Sequence, residues 1–366
     1  MPVSTADQIA GMNHDELLAR LKDSARLRRF LGLGARPEDL FGAYQRIERL
    51  DQWPGELASV AQGYEQSGDQ VTVPHASVAS WLTACVYYHL ATLGVFEDND
   101  QRVGLYRTVE RVYRKAAPHL PVPAEVVSYT FRGVPFTAYL RTPSVPADGG
   151  GAPVLLLLRG QDAAREVELH TISELMLHRG LATFSIDLAG QGESRLHGMR
   201  MPDDLAESAG AAIDQLEGRP GLDLRRLAVL GQSFGGHLAP RVAAGEPRIK
   251  ACIALAGFYA LSDMERPPLA RHNFMMNMGG DPETARERES LFTLDGLIEN
   301  LTCPFFAVNG AQDRVTPPSQ TVKLYERAVR SRARNLKLYE GLPHCAYYDN
   351  RAILFDLADW LLEMLP

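Results

Sequence analysis

The chain has 366 residues, of which 45% are hydrophobic and 23% charged, and its formal net charge at pH 7 is −7. This length is enough for a large α/β domain and a smaller one. The acidic balance argues against a nucleic-acid partner, because phosphate backbones are bound by basic surfaces. No apolar run approaches the length of a membrane span, and residues 1–31 mix charges with apolar residues, so we expect neither a membrane partner nor a secretory leader.

The four cysteines are scattered through the chain without metal-ligand spacing, at Cys85, Cys252, Cys303 and Cys345. Buried free thiols are the interpretation that fits their mostly apolar surroundings. We therefore expect a cytoplasmic protein without a metal site. No motif in the chain implies an organic cofactor.

The first part of the chain, residues 1–120, is predicted to form an N-terminal helical domain. Polar and apolar residues alternate with a period of three to four over residues 15–21 and 40–47. The more apolar stretch Val78–Val95 predicts a buried helix, and Asp100–Ala117 predicts a further helix that ends before a proline.

Residues 121–366 are predicted to form an α/β domain. Val126–Phe131 and Val134–Arg141 predict a hairpin, after which apolar strands alternate with helices. That alternation is typical of a mostly parallel central sheet with flanking helices. The predicted parallel strands are Val154–Leu158, Leu181–Ile186, Leu227–Leu230, Ala251–Ala256, Pro304–Val308 and Leu336–Tyr339.

A G-x-S-x-G sequence, Gly231–Gly235, directly follows the predicted strand Leu227–Leu230 and precedes a predicted helix. Glycines on either side of a serine permit a sharp strand-to-helix turn that exposes the serine hydroxyl. The same pattern occurs in glycine-rich surface turns, so its context must decide between the two. Here the context predicts the nucleophile elbow of an α/β-hydrolase fold, with Ser233 as the nucleophile.

A serine nucleophile needs a base that takes its proton and an acid that orients the base. In this fold the acid and then the histidine follow the serine along the chain, each after a late strand. Asp313 follows the strand Pro304–Val308, and His344 precedes the predicted C-terminal helix Ile353–Leu365. We predict that Ser233, Asp313 and His344 are catalytic. The alternative for Asp313 is that it only caps the next turn.

Two backbone N–H groups are predicted to form the oxyanion hole, those of Phe234 and of Gln161 in the loop after the third strand. The Gln161 side chain is equally compatible with a solvated loop position. After the fourth strand, Asp187–Ser194 matches a D-x-x-G-x-G-x-S loop that is common in this fold and predicts a structural turn. Asp162 and Glu166 are expected to be surface charges.

Several segments together resemble one branch of the α/β-hydrolases, which has an N-terminal helical domain. This branch includes 2,6-dihydroxypseudooxynicotine hydrolase, and fungal polyketide-shortening hydrolases and fermentation–respiration-switch-type esterases are similar to it. The resemblance begins near residue 75. It is carried by Leu105–Tyr106, Tyr113–Pro118, Gly231–Gly236, Glu246–Arg248, Ala256–Phe258, Gly341–Cys345 and Ala358–Leu361.

The resemblance implies hydrolysis of a carbon–carbon bond beside a ketone, a homodimer, and an active site that the helical domain helps to cover. Asp263 or Glu265 falls in the region where an acidic residue is associated with carbon–carbon cleavage in the pyridine branch. Two positions differ from the branch, because Arg159 replaces the first of two glycines and Arg165 replaces a lysine.

Three functions remain open at this point. The first is hydrolysis of a β-diketone, an acylated aromatic or a polyketide-like substrate, and the second is esterase or thioesterase activity with the same triad. The third is a binding protein that retains the fold without chemistry.

The segment 258–294, between the sixth and seventh strands, is interpreted either as a substrate-lining cap or as core packing. Burial in a helix core is the alternative to a binding role for the aromatic residues of the helical domain. The predicted substrate-binding residues are Gly160, Trp81, Tyr88, Phe258, Glu265 and Met275.

Overall fold

The structure is a computed structural model that describes residues 11–144, 150–201, 205–266, 268–278 and 281–365. It divides into two compact units. The first unit comprises Met1–Pro123 and Arg266–Met276, and the second comprises Ala124–Glu265 and Asn277–Pro366.

The first unit is helical. The predicted helices over residues 15–21, 40–47 and 100–117 correspond to its first, third and sixth helices. The predicted helix Val78–Val95 begins earlier, at Pro74, because the first turn of a helix accepts a residue without an N–H group. The helices before Pro123 are α1 (His14–Leu21), α2 (Ser24–Gly32), α3 (Pro37–Arg46), α4 (Trp53–Gln70), α5 (Pro74–Thr92) and α6 (Asp100–Ala116).

The core of this unit lies between α4 and α5. Trp53 is fully buried, and its indole Nε1 donates to the carbonyl of Leu90 at 2.9 Å. Tyr88 is also buried, and its hydroxyl donates to the carboxylate of Glu65 at 3.1 Å. His272 Nε2 lies 2.8 Å from the carbonyl of Phe96, which joins the segment Arg266–Met276 to this unit.

The second unit is built around one sheet. Within the described residues the sheet has eight strands in the order β1-β2-β4-β3-β5-β6-β7-β8, and β1, β2 and β4 pair antiparallel while the other neighbours are parallel. The strands are β1 (Glu125–Phe131), β2 (Val134–Arg141), β3 (Ala152–Leu158), β4 (Ala182–Ile186), β5 (Leu222–Gln232), β6 (Ile249–Leu255), β7 (Phe305–Gly310) and β8 (Arg334–Tyr339).

The central strands β3 and β4 are buried along their whole length, as expected for a parallel sheet that helices cover on both faces. The interior is apolar, and the terminal helix contributes residues such as Leu354 and Leu357 to the same cluster as Leu155 and Ile253. The helices that follow β3 along the chain are α7 (His170–Leu177), α8 (Gly192–Leu196), α9 (Ala206–Ile213), α10 (Phe234–Gly245), α11 (Pro268–Met278), α12 (Pro282–Glu289), α13 (Pro318–Arg327) and α14 (Ala352–Met364), and most of α11 belongs to the first unit.

The predicted α/β fold and all eight predicted strands are confirmed. The hairpin turns at Arg132 and Gly133, whose φ angles of 48° and 78° suit a tight turn between antiparallel strands.

The strand order reverses at β3, so the carboxyl ends of β3 and β5 lie side by side and Leu158 pairs with Gly231. Ligands of open α/β sheets bind where the strand order reverses, and the G-x-S-x-G sequence lies at this edge.

The four cysteines are free and buried, as predicted. Among the helices of the described ranges, none combines the length and the apolar character that crossing a bilayer requires.

Candidate active site

Ser233 lies on the turn between β5 and α10 with φ 55° and ψ −119°, a conformation that non-glycine residues rarely adopt. The surrounding backbone holds this strained residue in place. Its N–H donates to the carbonyl of Leu255 at 2.7 Å, and its carbonyl accepts from the N–H of Gly236 at 2.8 Å. The turn therefore presents the serine hydroxyl in one direction at the end of β5.

The two motif glycines are required by close backbone contacts. A Cβ atom at Gly231 would lie 1.9 Å from the carbonyl oxygen of Gly235, and one at Gly235 would lie 2.4 Å from the carbonyl oxygen of Leu158. Neither contact can be relieved by moving a side chain, because both involve backbone atoms. The G-x-S-x-G pattern is thus a packing requirement between β5, α10 and the end of β3.

The three residues predicted to be catalytic form a continuous chain of hydrogen bonds. In the neutral tautomer, His344 Nδ1 donates to Asp313 Oδ2 at 2.6 Å, and Ser233 Oγ donates to His344 Nε2 at 2.8 Å. Asp313 also caps the next turn, because its Oδ1 accepts from the N–H groups of Val315 and Thr316 at 2.7 and 2.9 Å. These two bonds fix the carboxylate so that its other oxygen faces the imidazole.

The electrostatics of His344 suit a general base. Burial lowers the pKa of His344, but the Asp313 carboxylate and, after it, Cys345 together raise it by more, so the pKa lies well above its usual value. The Asp313 side chain is fully buried, which strengthens its interaction with an imidazolium. In contrast, burial lowers the pKa of His237 to about 3, and its Nδ1 lies 3.1 Å from the carbonyl of Phe258.

The backbone after His344 is also strained, with φ 60° at Cys345 and 34° at Ala346. A buried hydrogen bond follows directly, in which the hydroxyl of Tyr347 donates to the side-chain oxygen of Gln232 at 2.6 Å. Gln232 immediately precedes the nucleophile, so this bond connects the histidine loop to the turn at Ser233. No local pattern in the sequence indicates this connection.

The predicted oxyanion-hole residues lie close to the serine. Phe234 is the first residue of α10, where helix N–H groups are directed toward ligands. Gly160 adjoins the nucleophile, since a Cβ atom there would lie 3.1 Å from Ser233 Cβ and 3.6 Å from Ser233 Oγ. Gln161 follows Gly160, and its side-chain Nε2 is shielded from solvent without a hydrogen-bond partner among the described residues.

The other predicted substrate-binding residues have varied environments. Phe258 is buried in the second unit, and its ring stacks on the imidazole of His237 at 4.3 Å. In the first unit, Trp81 Nε1 donates to Asp69 at 2.9 Å, and Met275 on α11 is partly buried. Glu265 is exposed. Substrate binding by these residues and by Tyr88 remains a prediction.

One expectation about charged residues is wrong. Glu166, expected at the surface, is 6% exposed and pairs with Arg165 at 3.3 Å. It belongs to a buried charged cluster around Asp187 that the sequence analysis missed. No arrangement of three or more His, Cys, Asp and Glu side chains suited to a metal ion occurs within the described residues.

Comparisons with known proteins identify the family of this chain. A family model described as "Esterase FrsA-like" matches residues 44–264, and one described as "Prolyl oligopeptidase family" matches residues 173–365. The 2,6-dihydropseudooxynicotine hydrolase of Paenarthrobacter nicotinovorans is 31% identical over 339 residues, which cover 91% of this chain and 89% of that protein. Esterase FrsA of Citrobacter koseri is 27% identical, covering 60% of this chain and 52% of its own length.

Among solved structures, a crystal structure of 2,6-dihydroxy-pseudo-oxynicotine hydrolase covers 93% of this chain and 95% of that chain, with 27% identity and a TM-score of 0.82. The fold and these relatives define the protein as a hydrolase of the α/β-hydrolase class. More narrowly, the chain belongs to the FrsA-like esterase family.

Replacing Gly231 by alanine tests the packing at the turn. We expect Gly231→Ala to lower the free energy of unfolding by at least about 2 kcal/mol, because the new methyl group overlaps a backbone carbonyl. The control is Gly63→Ala in α4, which has open space and should stabilise its helix by about 0.5–1 kcal/mol. Urea denaturation followed by circular dichroism measures both. Equal stability of the Gly231 variant and wild type would contradict the packing requirement.

Proposed function

We propose that Ser233, His344 and Asp313 are the catalytic triad of a hydrolase that cleaves a carbon–carbon bond next to a ketone. The observation that carries the triad is the unbroken chain of hydrogen bonds, 2.8 Å from serine to histidine and 2.6 Å from histidine to aspartate. The proposed substrates are β-diketones, acylated aromatics or polyketide-like ketones.

The proposed reaction begins with attack of Ser233 Oγ on the ketone carbon. His344 Nε2 takes the hydroxyl proton, and the Asp313 carboxylate stabilises the imidazolium that forms. The carbonyl oxygen becomes an oxyanion that accepts hydrogen bonds from the backbone N–H groups of Phe234 and Gln161. Each such donor typically contributes about 3 kcal/mol of transition-state stabilisation.

The carbon–carbon bond then breaks, and its electron pair leaves with the fragment that carries the second carbonyl as an enolate. The proton held by His344 protonates this fragment, and the acyl group remains on Ser233. A water molecule, deprotonated by His344, hydrolyses the acyl-enzyme and releases a carboxylic acid. The sum is one ketone and one water converted into one acid and one protonated fragment.

Two observations favour a carbon leaving group. The relative from Paenarthrobacter nicotinovorans spans 91% of this chain and is named a 2,6-dihydropseudooxynicotine hydrolase. In addition, the buried Nε2 of Gln161 has no partner among the described residues. A buried N–H group without a partner is costly. Because Gln161 adjoins Gly160 beside Ser233, its amide is suited to bind the second oxygen of a β-diketone.

The alternative is a carboxylesterase or thioesterase that uses the same triad, which the FrsA-like family favours. Esters and thioesters need no stabilised carbanion, so the two functions differ in their leaving groups. A non-catalytic binding protein would need neither the strained Ser233 nor the aligned His344.

We also propose that the protein acts as a cytoplasmic homodimer on a small-molecule carbonyl substrate. Four free, buried cysteines suit a reducing compartment. The resemblance to the helical-domain branch supports the dimer. Light scattering, which measures the molecular mass in solution, tests it.

The first prediction concerns the nucleophile. A fluorophosphonate should label wild-type protein at Ser233, and Ser233→Ala should abolish labelling and lower turnover of p-nitrophenyl butyrate at least 10³-fold, in line with the loss of a triad member. Ser290→Ala, which changes an exposed serine, should behave as wild type. Intact-protein mass spectrometry measures the labelling. Unchanged turnover in Ser233→Ala would refute the triad, and wild-type protein that is neither labelled nor active would favour the binding protein.

The second prediction concerns pH. Turnover requires neutral His344, so kcat/KM rises as pH increases through the pKa of His344. Since Asp313 raises that pKa, Asp313→Asn should shift the acidic limb of the profile to lower pH. It should also lower the plateau by about 10³–10⁴-fold, because the asparagine no longer selects the correct tautomer. The kcat/KM of an ester between pH 5 and 9 measures both effects; an unshifted limb would contradict the assigned coupling.

The third prediction separates carbon from oxygen leaving groups. Wild-type protein should cleave an aryl β-diketone, and Gln161→Ala should lower that kcat/KM about 10–100-fold through loss of one donor to the developing charge. The p-nitrophenyl ester of the same acyl group should change less than about threefold, because its leaving group needs no such donor and the backbone N–H is retained.

The matched control is Gln101→Ala, which alters an exposed glutamine on α6. Liquid chromatography with mass spectrometry quantifies both products. Fast ester turnover by wild type without any diketone cleavage would establish the esterase alternative. Equal losses on both substrates would remove the assigned role of the Gln161 side chain.

A further inference from the structure

A buried charged cluster encloses the loop that carries the Gln161 N–H. We define the oxyanion loop as residues 160–164; Arg159 precedes it and Arg165 follows it. Both arginines pair with Asp187, which follows β4: Arg159 Nε donates to Oδ1 at 2.5 Å, and Arg165 Nε lies 3.1 Å from Oδ2 in an ion pair. All three residues are at most 5% exposed.

The same arginines also bind backbone carbonyls. Arg159 Nη1 donates to the carbonyl of Ala163, within the oxyanion loop, and Arg165 Nη1 donates to the carbonyl of Thr137 on β2. The N–H of Ala164 donates to Glu168 Oε2 at 2.8 Å. The loop is therefore held at its start, near its end and against the neighbouring strand β2.

The turn after β4 is shaped around the Asp187 carboxylate. A Cβ atom at Gly192 would lie 1.9 Å from Asp187 Oδ2, so the glycine leaves the space that this oxygen occupies. Ser194 closes the same turn, because its Oγ donates to the carbonyl of Gln191 at 2.7 Å and accepts from the N–H of Gly190 at 3.1 Å. The turn thus leaves room for the carboxylate that both arginines bind.

Buried ion pairs add little to stability by themselves, because desolvation of the charges offsets their attraction. Their rigidity matters where a distance must be kept. Oxyanion donors act at 2.7–3.1 Å from the developing charge, so a small shift of the loop removes the stabilisation. Gly160 packs against Ser233, because a Cβ atom added at Gly160 would lie 3.6 Å from Ser233 Oγ. Any movement of the loop therefore changes the contacts of Ser233.

We propose that Asp187 acts as a positioning residue that, through Arg159 and Arg165, fixes the oxyanion loop and so the Gln161 N–H at the distance catalysis requires. The inference rests on the proposed function of Ser233 and of the Gln161 backbone. Asp187 itself touches no reacting atom. Its effect is confined to the transition state, because a ketone or ester binds before the oxyanion exists.

The experiment uses Asp187→Asn and the pair Arg165→Met and Arg165→Lys. Asparagine preserves the shape of the aspartate but removes its charge and leaves residue 187 with one acceptor oxygen for the two guanidinium groups instead of two. Methionine removes the charge at residue 165, and lysine restores it. The matched control is Glu246→Gln, because Glu246 is a buried carboxylate that binds Arg248 in another part of the second unit.

Three quantities are measured on the full chain. Titration with a fluorophosphonate counts folded active sites. The kcat and KM of p-nitrophenyl butyrate are then expressed per titrated site. The inhibition constant of an alkyl trifluoromethyl ketone, whose adduct with Ser233 carries an oxyanion, reports the oxyanion hole directly.

Asp187→Asn and Arg165→Met should lower kcat per titrated site 10–100-fold while KM changes less than threefold. The inhibition constant of the trifluoromethyl ketone should rise by the factor by which kcat/KM falls. Arg165→Lys should recover kcat to within threefold of wild type. Glu246→Gln should lower the melting temperature with kcat per site unchanged, as expected for a purely structural ion pair.

The proposal is overturned if Asp187→Asn loses stability but keeps the wild-type kcat per site and inhibition constant. If Asp187→Asn does not fold, equal kcat in Arg165→Met and Arg165→Lys overturns it, and recovery by lysine alone supports it. Failure of the proposed role of Ser233 gives a different result, because wild-type protein would then be neither labelled nor active.

Discussion

The active-site architecture depends on three backbone segments that meet without side chains between them. The end of β3, the end of β5 and the start of α10 converge at Gly231 and Gly235, where a single Cβ atom would overlap a backbone carbonyl. This contact forces Ser233 into a strained conformation and aligns its hydroxyl with His344. The pairing of β3 with β5 in the parallel sheet stabilises this strained conformation, and β3 is buried along its whole length.

Asp313 and His344 lie on two loops, and hydrogen bonds to neighbouring groups hold each loop in place. Two backbone N–H groups orient Asp313, so its free oxygen can face only the imidazole. A buried bond from Tyr347 to Gln232 ties the strained loop after His344 to the strand that carries the nucleophile. Such preorganisation lowers the reorganisation that the reaction would otherwise require.

The sequence alone predicted the features of the fold and site that depend on a local pattern of residues. Apolar strands, their alternation with helices and the order of Ser233, Asp313 and His344 follow from periodicity and from the known order of the fold. The Asp187 cluster was not predictable in this way. Arg159 and Asp187 are 28 residues apart in the chain, and nothing in either neighbourhood shows that both are buried. Charged residues are exposed by default, and that rule gave the wrong expectation for Glu166.

The identity of the leaving group depends on chemistry that the triad does not determine. In the proposed mechanism, attack by Ser233 and hydrolysis of the acyl-enzyme are the same for carbon, oxygen and sulfur leaving groups. The three leaving groups differ in the atom that receives the proton from His344 and in the moment at which they need it. The Asp313 carboxylate stabilises the imidazolium, so His344 can retain the proton until a carbanion is ready to accept it. This coupling serves an alkoxide leaving group as well, because His344 delivers the proton in both cases. The proposed donor at Gln161 is therefore the feature that distinguishes expulsion of an enolate from expulsion of an alcohol.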